Sequence, residues 1–133
     1  GPVAHICFNI FTAYNRMAMK EHKLLLKQLI DELLPNPIVK AVSGIPSTAR
    51  VTLTGKDDYK LLHVKVTFPE RRGEFTVVED HVTLKADAVV KVRGEYRTVC
   101  RLPEQMPMES CIENGYTVVT LPEITGYDMF ILR

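Results

Sequence analysis

KLLHVKVTF, residues 60–68, sets the architecture of most of this chain. Leu62, Val64, Val66 and Phe68 fall on one side of an extended strand, and His63, Lys65 and Thr67 fall on the other. That is the two-residue period of a sheet with one face in a core and one in water. Working upstream, RVTLT (residues 50–54) alternates the same way with Val51 and Leu53 inward. Gly55, Lys56, Asp57 and Asp58 between the two runs read as the turn of a hairpin. Downstream, strand-like runs recur at Glu74 to Val78, Ala88 to Val92, Tyr96 to Leu102, Tyr116 to Leu121 and Met129 to Leu132. Asn114-Gly115 marks a tight hairpin, because Asn-Gly readily takes the positive φ values of a type I′ turn. About seven short strands with turns every 8–12 residues or so predict an antiparallel, Greek-key-like β-sandwich over residues 38–133.

The first 37 residues read differently. Val3 to Phe11 (VAHICFNIF) is nearly all apolar, as in a strand buried on both faces of a parallel sheet. A helix is expected from about Ala18 to Leu34, ended by Pro35 and Pro37. His22, Leu26, Leu29, Ile30 and Leu33 form its apolar stripe, and Leu24, Leu25 and Leu34 widen it. The fold class predicted is therefore mainly β, with a single strand-helix unit in front. A lone strand and helix cannot bury both their faces. Residues 1–37 are thus read as the remnant of an α/β domain whose other parts lie upstream.

The 133 residues suffice for one ordinary domain, or a small domain plus part of another. A net charge of +1 leaves no basic face for nucleic acid, and no apolar run reaches the ~18 residues of a membrane span. Neither partner is expected. Cys7, Cys100 and Cys111 are odd in number and widely spaced, which fits reduced thiols in or near a core and an intracellular, cytoplasmic setting. The start at Gly1-Pro2, without Met, reads as a scar of tag cleavage, behind which a targeting segment would be lost.

Candidate chemistry is sparse. Glu79-Asp80-His81 puts two carboxylates beside an imidazole, but neighbours in a strand point to opposite faces, so the pair would not converge. A polar turn or strand edge explains the triplet more simply. His5 reads as a hydrogen-bonded core histidine and His22 as a packing contact. His63 projects from a polar strand face without a second ligand at matching spacing. No metal and no cofactor is implied. There is no Gly-x-Ser-x-Gly; Ser43 and Ser110 read as turn residues, and the cysteines as inert packing. Among the aromatics Phe68, Phe75, Tyr96, Tyr116, Tyr127 and Phe130, most are expected in the core or at turns. Tyr96, Tyr116 and Tyr127 remain as candidates for a sugar-stacking surface.

The order of segments carries a resemblance. Phe11-x-x-Tyr14, a long helix with Leu33-Leu34-Pro35, then Leu62-His63-Val64, Phe68-Pro69-Glu70-Arg71-Arg72, Val78-Glu79-Asp80, Arg101-Leu102-Pro103-Glu104 and Leu121-Pro122-Glu123-Ile124-Thr125-Gly126-Tyr127 resemble the C-terminal end of β-galactosidase-like glycoside hydrolases, in particular their fucosidase-like branches. The resemblance implies a flavodoxin-like trimerisation domain ending near residue 37 and a complete terminal sandwich after it. It also implies that the catalytic carboxylates lie on an upstream barrel, so no position here inherits a catalytic role. The expected partners are then the upstream domains of the same polypeptide and further copies of the chain, with carbohydrate reached through the parent enzyme. Two further expectations compete with this structural role: a carbohydrate-binding sandwich module, and a small freestanding enzyme using Glu79, Asp80 and His81.

Overall fold

The alternation read at residues 60–68 survives in three dimensions: Leu62, Val64 and Val66 are fully buried, whereas Phe68 lies outside the strand and is exposed. The structure, a computed structural model, describes residues 1–78 and 80–133. They form two units, Gly1–Pro37 and Ile38–Arg133.

The first unit holds two helices, α1 (Ile10–Met17) and α2 (Lys20–Leu33), and residues 1–9 carry no regular element. The strand expected over Val3 to Phe11 is therefore absent, and the single strand-helix unit is a helix pair. The physical reason lies at Asn9. Its side-chain Oδ1 accepts a hydrogen bond from the Thr12 amide at 3.3 Å, satisfying one of the free amides that begin a helix. Ile10, Ala13, Tyr14 and Met17 then follow at helical spacing. Ala18 closes α1 in the left-handed region (φ 49°), with its amide bonded to the Tyr14 carbonyl at 2.8 Å.

Helix α2 ends where the prolines require, its Leu34 amide still reaching the Ile30 carbonyl at 2.8 Å. Along its surface Lys27 pairs with Asp31 and Gln28 with Glu32, one turn apart. His22, Leu26 and Leu29 are half-buried on one stripe, and His22 lies 5.8 Å from the Phe8 ring, centroid to centroid. Ile10 is the one fully buried residue of the two helices; Leu24, Leu25, Ile30 and Leu33 of the expected stripe are exposed. His5, expected in a core, is exposed as well.

The second unit contains β1 (Val39–Ser43), β2 (Arg50–Lys56), β3 (Tyr59–Lys65), β4 (Glu70–Arg72), β5 (Phe75–Val77), β6 (Thr83–Leu84) and β7 (Ala88–Arg93). It continues with β8 (Val99–Leu102), β9 (Met106–Pro107), β10 (Ser110–Glu113), β11 (Tyr116–Leu121), β12 (Ile124–Thr125) and β13 (Tyr127–Leu132). A four-stranded sheet has the order β1-β7-β11-β10 and a five-stranded sheet the order β2-β3-β13-β8-β9; β4-β5 and β6-β12 are short pairs. All the pairings are antiparallel. The chain changes sheet repeatedly, so β3 finds its neighbour in β13, far along the sequence, as in Greek-key sandwiches.

One core joins the two inner faces. Leu62, Val64 and Phe130 come from the five-stranded sheet, and Val90, Val119 and Leu121 from the four-stranded one. Each such side chain contributes roughly 1.5–3 kcal/mol by leaving water. Asp128 is also buried on this face: its Oδ2 forms an ion pair with Arg101 Nη2 at 2.5 Å, without hydrogen-bond alignment, while Oδ1 accepts from the Met129 amide at 3.1 Å.

Two turns illustrate the local chemistry. Asn114 and Gly115 both have positive φ (51° and 78°) between β10 and β11, as a type I′ hairpin requires. At the β2–β3 hairpin the loop is only Asp57-Asp58, shorter than expected, since Lys56 already pairs with Tyr59. Gly55 sits within β2 at φ 135°, where a Cβ would come within 2.4 Å of the Tyr59 carbonyl oxygen. Only glycine fits there without displacing backbone.

Candidate functional site

Because side chains alternate across β3, burying Leu62 and Val64 forces His63 and Lys65 onto the outer face of the five-stranded sheet. His63 is held there on both sides. Its Nδ1 lies 2.8 Å from the Tyr127 hydroxyl of β13, and its Nε2 lies 2.8 Å from Thr54 Oγ1 of β2. The His63 and Tyr127 rings stack with centroids 6.2 Å apart. A neutral imidazole has one donor and one acceptor nitrogen, and each hydroxyl can answer either role. The arrangement therefore fixes the Tyr127 ring in place while leaving it 54% exposed. It does not set His63 up as a free base, since both nitrogens are occupied.

The other two candidate tyrosines lie elsewhere. Tyr96 follows β7 and packs against the core, its ring over Gly94, where a Cβ would meet it at 2.9 Å. The Tyr96 amide donates to Thr117 Oγ1 at 2.9 Å, and that buried hydroxyl donates to the Gly94 carbonyl at 2.8 Å. Tyr96 is thereby a clasp for the end of β7. Tyr116 begins β11, opposite Arg93, on the outer face of the four-stranded sheet. Tyr116 and Tyr127 thus sit on opposite outsides of the sandwich. The three rings do not make one surface.

Of the acidic triplet, Glu79 lies outside the described residues. Asp80 and His81 are exposed; the His81 backbone bridges Thr67, and its ring sits against Gly126, where a Cβ would come within 3.0 Å of Nδ1. Cys7 and Cys111 are exposed and Cys100 is half-buried, all as free thiols, so two of the three are outside the core where packing was expected. Cys111 Sγ lies 3.9 Å from Glu113 Oε1.

Three carboxylates of this unit have a described cationic partner, one of them Glu70, 3.9 Å from Arg72 on the short β4–β5 pair; the other two lie on the main sheets. Asp128 is buried with Arg101 on the inner side, and Glu113 meets Lys91 at 2.7 Å on the outside of the other sheet. The hydrogen bond from Lys91, and then its positive charge, hold the Glu113 carboxyl below the usual glutamate range. These two groups do not face each other across a cleft, which a glycoside-cleaving pair would have to do. Among the described residues no group of three His, Cys, Asp or Glu side chains is placed to hold a metal ion. None of the helices described is long and apolar enough to cross a membrane.

Sequence reasoning missed the Thr54–His63–Tyr127 chain, although the signal existed. His63 was legible as outward-facing, but its partners depend on β13 returning beside β3, and pairing across 64 residues is not written in local periodicity.

No protein-family model matches the sequence, and no curated protein matches it. Among solved structures the chain is similar to alpha-L-fucosidase isoenzyme 2 from Paenibacillus thiaminolyticus, with a TM-score of 0.84 and 20% sequence identity over 96% of this chain and 20% of that one. At that identity the likeness is one of fold, and the chain spans about a fifth of the length of the protein it matches.

Proposed function

We propose that this chain is a non-catalytic accessory portion of a glycoside hydrolase, supporting the packing of neighbouring domains or self-association. The observation that carries the reading is the fold match itself: 96% of the chain is reproduced within only 20% of an alpha-L-fucosidase. The helical unit supports it. Phe11, Leu24, Ile30 and Leu34 are all more than half exposed, a quantity of apolar surface that usually marks an interaction site. In this reading the helix pair belongs to a preceding, trimerisation-type domain, and the sandwich is a separate domain of the same polypeptide.

The test has two arms. The isolated 133-residue chain is expected to leave 4-nitrophenyl α-L-fucopyranoside intact, and the polypeptide encoded by the complete reading frame to cleave it. Turnover by the isolated chain, or a reading frame with no barrel-sized region upstream, removes the proposal.

A second reading is favoured by one observation. The exposed Tyr127 ring is immobilised by His63, and a pre-fixed aromatic surface costs little entropy on stacking with a sugar. A carbohydrate-binding module predicts saturable quenching of tyrosine fluorescence by oligosaccharides that disappears in Tyr127→Ala. The freestanding-enzyme reading has the least support, because Asp80 and His81 are exposed and the second described element near them, Gly126, offers only backbone. Asp80→Ala is expected to alter no hydrolytic activity.

A further inference from the structure

Beside Tyr127, the outer face of the five-stranded sheet carries a groove of about 330 Å³ lined by Thr48, Arg50, Lys65, Thr67 and Pro69. Arg50 and Lys65 are register partners across β2 and β3. Directly opposed positions place Cβ atoms about 5 Å apart, and like charges there destabilise a sheet. Neither cation has an ion-pair or hydrogen-bond partner among the described residues. Elsewhere Lys27 pairs with Asp31 and Lys91 with Glu113. Two unneutralised charges aimed into one concavity break a local rule of sheet design, and such breaks concentrate where a ligand repairs them.

We infer that this groove binds a small oxyanion, a carboxylate or sulfate, either free or as the acidic group of a sugar. A planar guanidinium offers two parallel donors to such a group, and the ammonium adds a compact charge opposite. The Thr48 and Thr67 hydroxyls supply neutral donors at the rim. The volume lies near the lower bound for small-molecule pockets, so it fits a single acidic sugar and not a polymer. The inference stands on the sandwich alone and does not require the accessory reading.

The uniformly ¹⁵N-labelled chain, titrated at low ionic strength to limit screening, decides it. Inorganic sulfate and sodium D-glucuronate are each expected to move the amides of Thr48, Arg50, Lys65 and Thr67 saturably, with dissociation constants on the order of 1 mM; D-glucose is expected to move none. Arg50→Gln and Lys65→Gln are each expected to weaken binding about tenfold, whereas Lys40→Gln, on the other sheet, leaves it unchanged. Glucuronate binding about tenfold tighter than sulfate identifies a sugar acid as the source; equal binding identifies the free oxyanion. In a second readout Lys65→Gln is expected to raise the Tm of the unliganded chain and abolish the further rise caused by glucuronate. Absence of saturation, shifts spread evenly over surface lysines, or undiminished binding by both variants overturns the inference.

Discussion

The two units solve the problem of apolar residues in opposite ways. In Ile38–Arg133 the chain folds two sheets onto each other and encloses Phe130, Leu62, Leu121 and their neighbours completely. In Gly1–Pro37 leucine and isoleucine are about twice as frequent and lie mostly on helices, yet only Ile10 of those helices is fully buried. The contrast separates forming secondary structure from owning a core. Capping at Asn9 and the proline stop suffice to define the helices; they do not suffice to hold them.

The most severe test is to cut the chain between Pro37 and Ile38. Residues 38–133 are expected to unfold cooperatively in urea with their sheet signal intact. Residues 1–37 alone are expected to lose their helical circular dichroism, since α2 is near the ~12–15 residues below which isolated helices are marginal. A non-cooperative sandwich fragment breaks the comparison. At single-residue scale, Phe130→Ala is expected to cost about 3–5 kcal/mol in urea unfolding, whereas Leu24→Ala, on the exposed side of α2, stays within about 0.5 kcal/mol. Equal effects would mean that the helices own more core than their burial implies.

Gly94→Ala probes the Tyr96 clasp. With φ at 122° and the ring 2.9 Å from a prospective Cβ, a loss of about 1–3 kcal/mol is expected. The smallest effect is electrostatic. Glu113 has its folded-state pKa lowered, so the stability it adds is present above the ordinary glutamate value, about 4.3, and disappears as the pH falls through the lowered folded value. Lys91→Ala is expected to move the Glu113 carboxyl titration, followed by ¹³C NMR, upward toward the ordinary range. The solvent around the exposed Glu113 carboxylate screens the pair and keeps its effect on unfolding slight.

What the sequence made legible follows the same division. Period-two alternation at β2 and β3 is readable because one face of each strand enters a core and the other does not, and the segments of β11 and β13 read as strand-like runs. Tyr116 to Leu121 was placed to the residue. The connector read over Ile38 to Ala49 instead holds β1, whose Val39, Ala41 and Ser43 pair with β7 through a bulge that disrupts the alternation. Tyr96 to Leu102 shortens to β8, because Tyr96 is committed to its clasp with Gly94 and Thr117. At Val3 to Phe11 hydrophobicity without a period reads as a buried strand, but residues 1–9 form no regular element and the cap at Asn9 starts a helix at Ile10. The candidate site was legible only one strand at a time. Alternation announces that His63, Lys65 and Arg50 face outward, but their meeting with Tyr127 is a property of strand order.

Strand order also governs how this protein keeps its edges from recruiting other chains. In the five-stranded sheet, β9 is two residues long and ends in Pro107, and β2 carries Arg50 and Lys56; in the four-stranded sheet the β1 edge is kinked by its bulge. The remaining rim, Ser110–Glu113, has neither a bulge nor a proline and leaves Ile112, opposite the buried Thr117, half-exposed. Unwanted strand addition, the first step toward fibrillar aggregates, is therefore concentrated on a four-residue ledge, and Ile112→Lys is expected to raise the concentration at which warmed samples stay clear by light scattering.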